Sequence, residues 1–337
     1  MIGLFFITFL SLVVYSFSRQ DLNLTWFRII APFLQNLGWY QRPLATLIFL
    51  ILAAILTFTY FKLLPRRFSW RFLIALVAIG VLAYPMFSYD IFNYMFNSKM
   101  VLIYGANPHL KTALDFGFDP MVRFMQNTHT PAPYGYGWTL ISLVPGLAWI
   151  SGKFTLAFWA MKLFVAAFFL GAIWVLKRLV DKLFPGQSWR LMLFALNPLV
   201  LTETLINGHN DVVMMFLALL SYWLLINRRR ALSVLSLLVS AAMKYATIVL
   251  LPLYLFKPKW KYWDWPSAAA ILLFLVPFTR PNQVHAWYLI WGFSFAVLSK
   301  YRLITTVFTV LTILGLIRYA PYIYAGNWNF PVYHLLK

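Results

Sequence analysis

Cysteine is absent from all 337 residues, which excludes disulfides, thiolate metal sites and a cysteine nucleophile. Acids are almost as scarce: Asp and Glu together number eight, against 28 Lys and Arg. Charged residues make up only 11% of the chain, where a soluble globular domain carries about a quarter. Familiar nucleotide and hydrolase signatures are missing as well. No Gly-x4-Gly-Lys phosphate loop, Gly-x-Gly-x-x-Gly turn, His-Glu-x-x-His or Gly-x-Ser-x-Gly elbow occurs. No low-complexity tract, internal repeat or Gly/Ser/Pro-rich linker divides the sequence, so it reads as a single domain over 1–337.

Apolar residues fill the space. They reach 62% of the chain, with a mean hydropathy of +0.76, in continuous stretches rather than the alternation of barrel strands. The fold class is therefore all-α, a polytopic helical membrane protein. The runs cover 2–17, 44–61, 72–87, 155–176, 191–206, 211–226, 231–243, 245–256, 266–279, 286–299 and 303–317, about eleven transmembrane helices. The first run has no basic n-region and no small-residue cleavage site, so it reads as a membrane helix rather than a leader.

The net charge of +20 does not signal nucleic acid, because the basic residues do not cluster with interleaved aromatics. They occupy short loops: Lys62, Arg66, Arg67 and Arg71; Lys177, Arg178, Lys182 and Arg190; Arg228, Arg229 and Arg230; Lys257, Lys259 and Lys261; Lys300 and Arg302. The positive-inside rule assigns these to the cytoplasm of an inner, multi-pass membrane protein. If the run Trp138 to Ile150 is an interfacial helix and not a crossing, all five groups fall on one side. The opposite side then receives the loop 88–151 with its interfacial helices, the segment 207–211, Lys244 and the segment from Arg280 to Trp287. With no cytoplasmic loop longer than about fifteen residues, the chain cannot house a nucleotide-sugar domain. An activated substrate must arrive within the membrane or from outside.

Asp90 closes an apolar stretch and opens a polar loop. A carboxylate at a membrane edge is a functional candidate, and also an ordinary helix N-cap for a helix starting at Ile91. In a helix from Ser88 to Tyr104, Asp90, Asn93 and Asn97 fall on one face, either as support for a site or as a stripe facing water on an outer-surface amphipathic helix. Gly105 and Pro108 end that helix. The loop Thr130-Pro131-Ala132-Pro133-Tyr134-Gly135-Tyr136-Gly137 combines prolines that fix φ with glycines that permit close backbone approach. It either lines a ligand cleft, bringing Tyr134 to it, or is a rigid connector.

Asn207-Gly208-His209-Asn210-Asp211 joins two apolar runs, with Glu203 one turn earlier. His209 and Asp211 suit a phosphate-bearing or hydroxylated ligand, or a divalent cation; Asp211 also suits a helix cap near Val212. Lys244 interrupts an apolar stretch, where it either snorkels or meets an anion such as a lipid phosphate. His285, Trp287, Tyr288 and Trp291 gather at another helix start, as a membrane-interface belt or as sugar-stacking rings.

These motifs come in a telling order. Tyr89-Asp90-Ile91-Phe92-Asn93-Tyr94, Gly105-Ala106-Asn107-Pro108, Thr130-Pro131-Ala132-Pro133-Tyr134-Gly135, Asn197-Pro198-Leu199-Val200-Leu201, Gly208-His209-Asn210-Asp211, Ala242-Met243-Lys244 and Trp287-Tyr288-Leu289-Ile290-Trp291 follow one another. The succession resembles the polyprenol-phosphate-mannose-dependent α-1,6-mannosyltransferases of the GT-C superfamily, over roughly 84–291. The resemblance implies a GT-C-like membrane fold and Asp90 as catalytic base. It also implies inverting transfer of a hexose, mannose by preference, from a polyprenyl-phosphate donor to a glycan or lipid-linked acceptor on the extracytoplasmic face. Lys244, His209, Asp211, Asn207, Tyr134, His285 and Trp287 then serve donor phosphate or sugar, with Asn93, Asn97 and Glu203 in support. No cofactor is assigned, and a divalent cation stays open as an option. The rival class is a transporter or lipid-carrier flippase with a polar relay through Asp90, Glu203, Asp211 and Lys244, which gathering at one face disfavours. An inactive scaffold of the same fold is a third reading.

Overall fold

A computed structural model describes residues 1–24, 31–255, 264–279 and 284–328. The basic group Lys257, Lys259 and Lys261 and the outer-segment residue Arg280 lie outside the described residues. Everything described is helix, turn or loop; no strand occurs among these residues. In chain order the helices are α1 (Ile2–Ser16), α2 (Ala31–Tyr40), α3 (Arg42–Leu63), α4 (Trp70–Val81), α5 (Asp90–Leu102) and α6 (Tyr136–Gly146). They continue as α7 (Phe154–Leu183), α8 (Trp189–Ala195), α9 (Pro198–Leu201), α10 (Asp211–Ile226) and α11 (Arg230–Met243). The set closes with α12 (Leu251–Leu255), α13 (Trp265–Leu275), α14 (Leu289–Ala296), α15 (Arg302–Ile317) and α16 (Tyr319–Ala325).

Every expected apolar run contains helix, but length separates them. Four stretches are long and apolar enough to cross a membrane: Ile2–Arg19, Arg42–Leu63, Phe154–Leu183 and Arg302–Ala325. A fifth arises if the bent pair Trp189–Ala195 and Pro198–Ile206 counts as one span. The other apolar helices among the described residues are shorter than the roughly 20 residues a straight crossing needs, so length supports four or five of the eleven expected crossings.

Two runs stop early, each for a local reason. The run 72–87 is helical only to Val81, because Pro85 has no amide hydrogen to continue the ladder. The amides of Met86 and Phe87 donate instead to the Asn207 side chain, at 3.2 and 3.1 Å. The run 191–206 breaks at Asn197-Pro198, bending by 42°. Asn197 caps the restart by accepting from the amides of Leu199 and Val200, and Pro198 occupies the first turn, where its missing donor costs nothing. The segment Thr202–Ile206 then widens into a π-helix. Lys162 of α7 donates to the carbonyls of Leu205 and Ile206, satisfying groups a helix end leaves free.

The hairpin of α10 and α11 is joined by serines. Ser221 exchanges bonds with the Ser233 hydroxyl and carbonyl, Ser236 donates to Leu217 O at 2.8 Å, and Ser240 donates to Met214 O at 2.8 Å. Small hydroxylated side chains let two helices approach closely while satisfying their donors in apolar surroundings. This hairpin packs on α7 and α14, and α5 packs between α6 and α7. The stripe expected of α5 is open only in part: Asp90 and Asn97 are half-buried and Asn93 is buried, while Ile91, Phe92, Tyr94, Met95 and Phe96 pack into the core. The helix α6, by contrast, keeps Leu140 and Val144 exposed, and Leu147 and Ile150 follow in the short turn after it, as an interfacial element should.

Contacts also sort the chain ends of the helices. Lys182 donates to Asn227 at 2.7 Å, while Phe61, Arg190 and Arg302 border one cavity, so four of the five basic groups collect at one end of the bundle. At the other end the loop 103–135 is tied down by Asp119. This buried carboxylate accepts from Lys99, from the Tyr104 hydroxyl at 2.7 Å and from the Met121 amide at 2.9 Å, and Lys99 lies 4.7 Å from the Trp149 ring centre. Burial alone would raise the Asp119 pKa, but those donors outweigh it and hold the group below the usual carboxylate value. A depressed folded pKa stabilises above the unfolded value of about 3.9, and that contribution is lost as pH falls through the folded one. Asp119→Ala should cost about 1–3 kcal/mol, read as faster limited proteolysis of 103–135 at neutral pH. An unchanged cleavage rate would mean that the tie does not hold the loop.

Candidate active site

Asp90 sits at the first turn of α5, half-buried, where its negative charge faces the positive end of the helix. Tyr134 and Ser88 stand beside its carboxylate and favour the charged form, and the Asp90 amide donates to Ser88 Oγ at 3.3 Å. Tyr134 arrives there because the preceding loop docks on the end of α11. The Gly135 amide donates to Met243 O at 2.9 Å, and a Cβ on Gly135 would fall 2.0 Å from Ala242 O. Only glycine permits that approach, and Gly137 repeats it at 2.8 Å. The Tyr134 ring also meets Tyr94 edge-on, with centroids 4.9 Å apart, and Tyr94 donates to Asn210 Oδ1 at 3.1 Å. The loop 130–137 is thus a wall of the site rather than a mere connector.

The segment 207–211 forms the opposite wall. Gly208 takes φ +74°, a left-handed conformation that favours glycine, and turns the chain so that His209 and Asp211 both point inward. Asp211 accepts from Lys244 Nζ at 2.9 Å and from Trp291 Nε1 at 2.5 Å. Lys244 in turn lies 5.8 Å from the Tyr134 ring centre. Its partner is therefore a protein carboxylate, which is how a lysine tolerates this place; snorkelling is not required. Asn207 reaches the other way. Its Nδ2 donates to Glu203 at 2.9 Å, and Tyr319 donates to the second Glu203 oxygen at 2.5 Å.

His209 is wholly buried, with Nδ1 3.3 Å from Glu203 and 4.0 Å from Asp211, yet neither ring nitrogen makes a hydrogen bond. Burial pushes its pKa down to about 3 despite the pull of Asp211, so the imidazole is neutral. Trp287 packs edge-on against His209 with centroids 4.6 Å apart, and His285 stacks on Trp287 at 4.1 Å. Asn93 is buried and Asn97 half-buried, and neither hydrogen-bonds to this cluster, so their expected support has no contact behind it. Among the described residues no group of three or more His, Asp and Glu is arranged to hold a metal ion.

Asp90 thus shares one electrostatic neighbourhood with Lys244 and Asp211. Burial raises its pKa most, Lys244 lowers it, and Asp211 raises it again. The group stands above the ordinary carboxylate value, nearer to what a base working close to neutrality needs. Tyr94, Tyr319 and Lys162 were not among the expected site residues. Tyr94 closes the Tyr89–Tyr94 motif and Tyr319 lies just beyond the last apolar run, so only the fold shows what their hydroxyls meet, while Lys162 is a lone lysine in the run 155–176 whose ammonium meets the carbonyls of Leu205 and Ile206.

The family model for the Alpha-(1->6)-mannopyranosyltransferase, N-terminal domain (MptA_B family) matches residues 1–257. The matched stretch contains Asp90, Tyr134, Glu203, His209, Asp211 and Lys244. No curated protein and no solved structure matches the chain. The fold and its polar cluster are those of a helical membrane protein with a buried acid–lysine centre. The chain belongs to the alpha-(1->6)-mannopyranosyltransferase family, which makes it a mannosyl-class glycosyltransferase.

Replacing Lys244 with Met should leave Asp211 buried without its cation and cost about 3–5 kcal/mol, seen as a lowered thermal unfolding midpoint in detergent. A variant as stable as the parent would show that the pair does not hold the site together.

Proposed function

We propose that the protein transfers a hexose, mannose by preference, from a polyprenyl-phosphate donor to a glycan or lipid-linked acceptor, with inversion, on the extracytoplasmic face of the cytoplasmic membrane. The observation that carries this reading is the meeting of Asp90, Tyr134, Lys244 and Asp211 in one cluster, away from the end that collects the basic loops. The positive-inside rule supports placing that basic end in the cytoplasm and the cluster outside. The short apolar helices would then be partial crossings buried among their neighbours.

Asp90 accepts the proton of the acceptor hydroxyl while its oxygen attacks the anomeric carbon. The bond from that carbon to the phosphate oxygen breaks, and the polyprenyl phosphate leaves with the electron pair. Lys244 stabilises the charge that develops on the leaving group. The neutral His209 and the stack of Trp287 on His285 form an aromatic backing to this cluster. The half-exposed edge of Asp90 lets it return the proton to water.

Asp90→Asn should lower transfer from a labelled polyprenyl-phosphate sugar by about 10²–10⁴-fold in washed membranes. Parent-like rates would remove Asp90 from the reaction, and movement of the carrier lipid without a new glycosidic bond would favour transport. The base works only when ionised and its pKa is raised, so kcat/KM should fall with decreasing pH at a point above the ordinary Asp value of about 3.9. Tyr134 favours the ionised carboxylate, so Tyr134→Phe should move this acid limb to still higher pH. A limb that stays put would uncouple Tyr134 from the base.

A further inference from the structure

A cavity of 540 Å³ lies at the basic end of the bundle, and none of the residues discussed as the active site lines it. Its walls come from three helices whose ends carry three separate basic loops. Phe61 and Leu64 belong to the end of α3, beside Lys62 and Arg66; Arg190 belongs to the start of α8; Arg302 begins α15. From Arg302 to Val310 the lining follows α15 for eight residues, roughly 12 Å at 1.5 Å per residue. That depth is apolar in character. Phe61, Leu193 and Val310 supply hydrocarbon, and Thr305 and Thr309 direct their hydroxyls to the carbonyls of Ala296 and Thr305.

The mouth is different. The Arg190 side chain is buried, its guanidinium lying over the Phe184 ring at 3.9 Å and the Trp189 ring at 4.8 Å. Its Nε donates to Gln187 at 2.8 Å and its Nη1 to the carbonyls of Val297 and Ser299, while no hydrogen bond engages Nη2 among the described residues. Arg302 is exposed and forms no ion pair among the described residues. The nearby acid, Asp264, is already bonded to the amides of Ser267 and Lys300. An anion at the mouth would thus meet two arginines with donors to spare, and hydrocarbon would extend behind it along α15.

We propose that this cavity binds an anionic membrane phospholipid, its phosphate between Arg190 and Arg302 and the start of an acyl chain along Phe61, Leu193 and Val310. Charge and shape both select the occupant. A volume of 540 Å³ lies within the roughly 300–1,000 Å³ of small-molecule sites, enough for a headgroup and the first part of a chain, the remainder lying in the bilayer. Basic pockets between membrane helices on the cytoplasmic side favour acidic headgroups. The cavity joins α3, α8 and α15, so an occupant would brace the bent α8 against two membrane-spanning helices.

The full chain, delipidated in a zwitterionic detergent, is titrated with phosphatidylglycerol, phosphatidylcholine, a polyprenyl phosphate and inorganic phosphate, with bound lipid counted by native mass spectrometry and the unfolding midpoint recorded. Phosphatidylglycerol should be retained at least five-fold more than phosphatidylcholine and should raise the midpoint. Arg302→Gln and the cavity-filling Thr306→Trp should each abolish that preference, and the exposure of both positions makes folding of the variants straightforward to verify from their lipid-free midpoints. Equal retention of the two phospholipids, or retention unchanged in both variants, would overturn the site. Stronger binding of the polyprenyl phosphate or of inorganic phosphate alone would overturn the assignment to a phospholipid.

Discussion

The buried pair of Asp211 and Lys244 is the constraint on which the polar end of this molecule depends. A lysine and an aspartate taken out of water are tolerated only with each other and with further donors, here the Trp291 indole. Once they are joined, the start of α10 and the end of α11 have fixed positions. The loop carrying Tyr134 lies across the end of α11 on two glycines, and Tyr134 reaches Asp90 from there. The acid proposed as base is thus held by a chain of contacts that begins at another acid.

Much of the fold was legible in the residues because continuous apolar runs have few ways to satisfy their backbone. The run 211–226 matches α10 residue for residue, and 231–243 misses α11 by one. What hydropathy could not supply was length in space. Pro85 and the Asn197-Pro198 pair interrupt runs that read as unbroken, and hydropathy averages over a missing donor or a side-chain cap without registering either. The helices were therefore found, while length alone supports fewer crossings than the runs suggested.

The site was legible where rarity marks a residue. Asp90, Asp211 and Lys244 stand out against an apolar background, and the three meet. Asn93 and Asn97 were chosen by helical periodicity alone, and periodicity says which residues share a face without saying what covers it; in α5 Asn93 is buried while Asp90 and Asn97 stay half-buried. Tyr94 and Tyr319 had no such signal, since a tyrosine among apolar neighbours looks like core until its hydroxyl is located. His209 was found by composition, but its burial, and hence its neutrality, belongs to the fold.

The serine contacts between α10 and α11 have a consequence beyond packing. They pair positions 12, 19 and 26 residues apart, and the Asp211–Lys244 contact, 33 apart, continues the same progression by seven. Sliding one helix by a single turn, about 5.4 Å, would break every serine bond at once and carry the ammonium beyond reach of its carboxylate. Hydroxyls that never meet a sugar thus act as a ruler, measuring off from the far turn of the hairpin where the positive charge must stand.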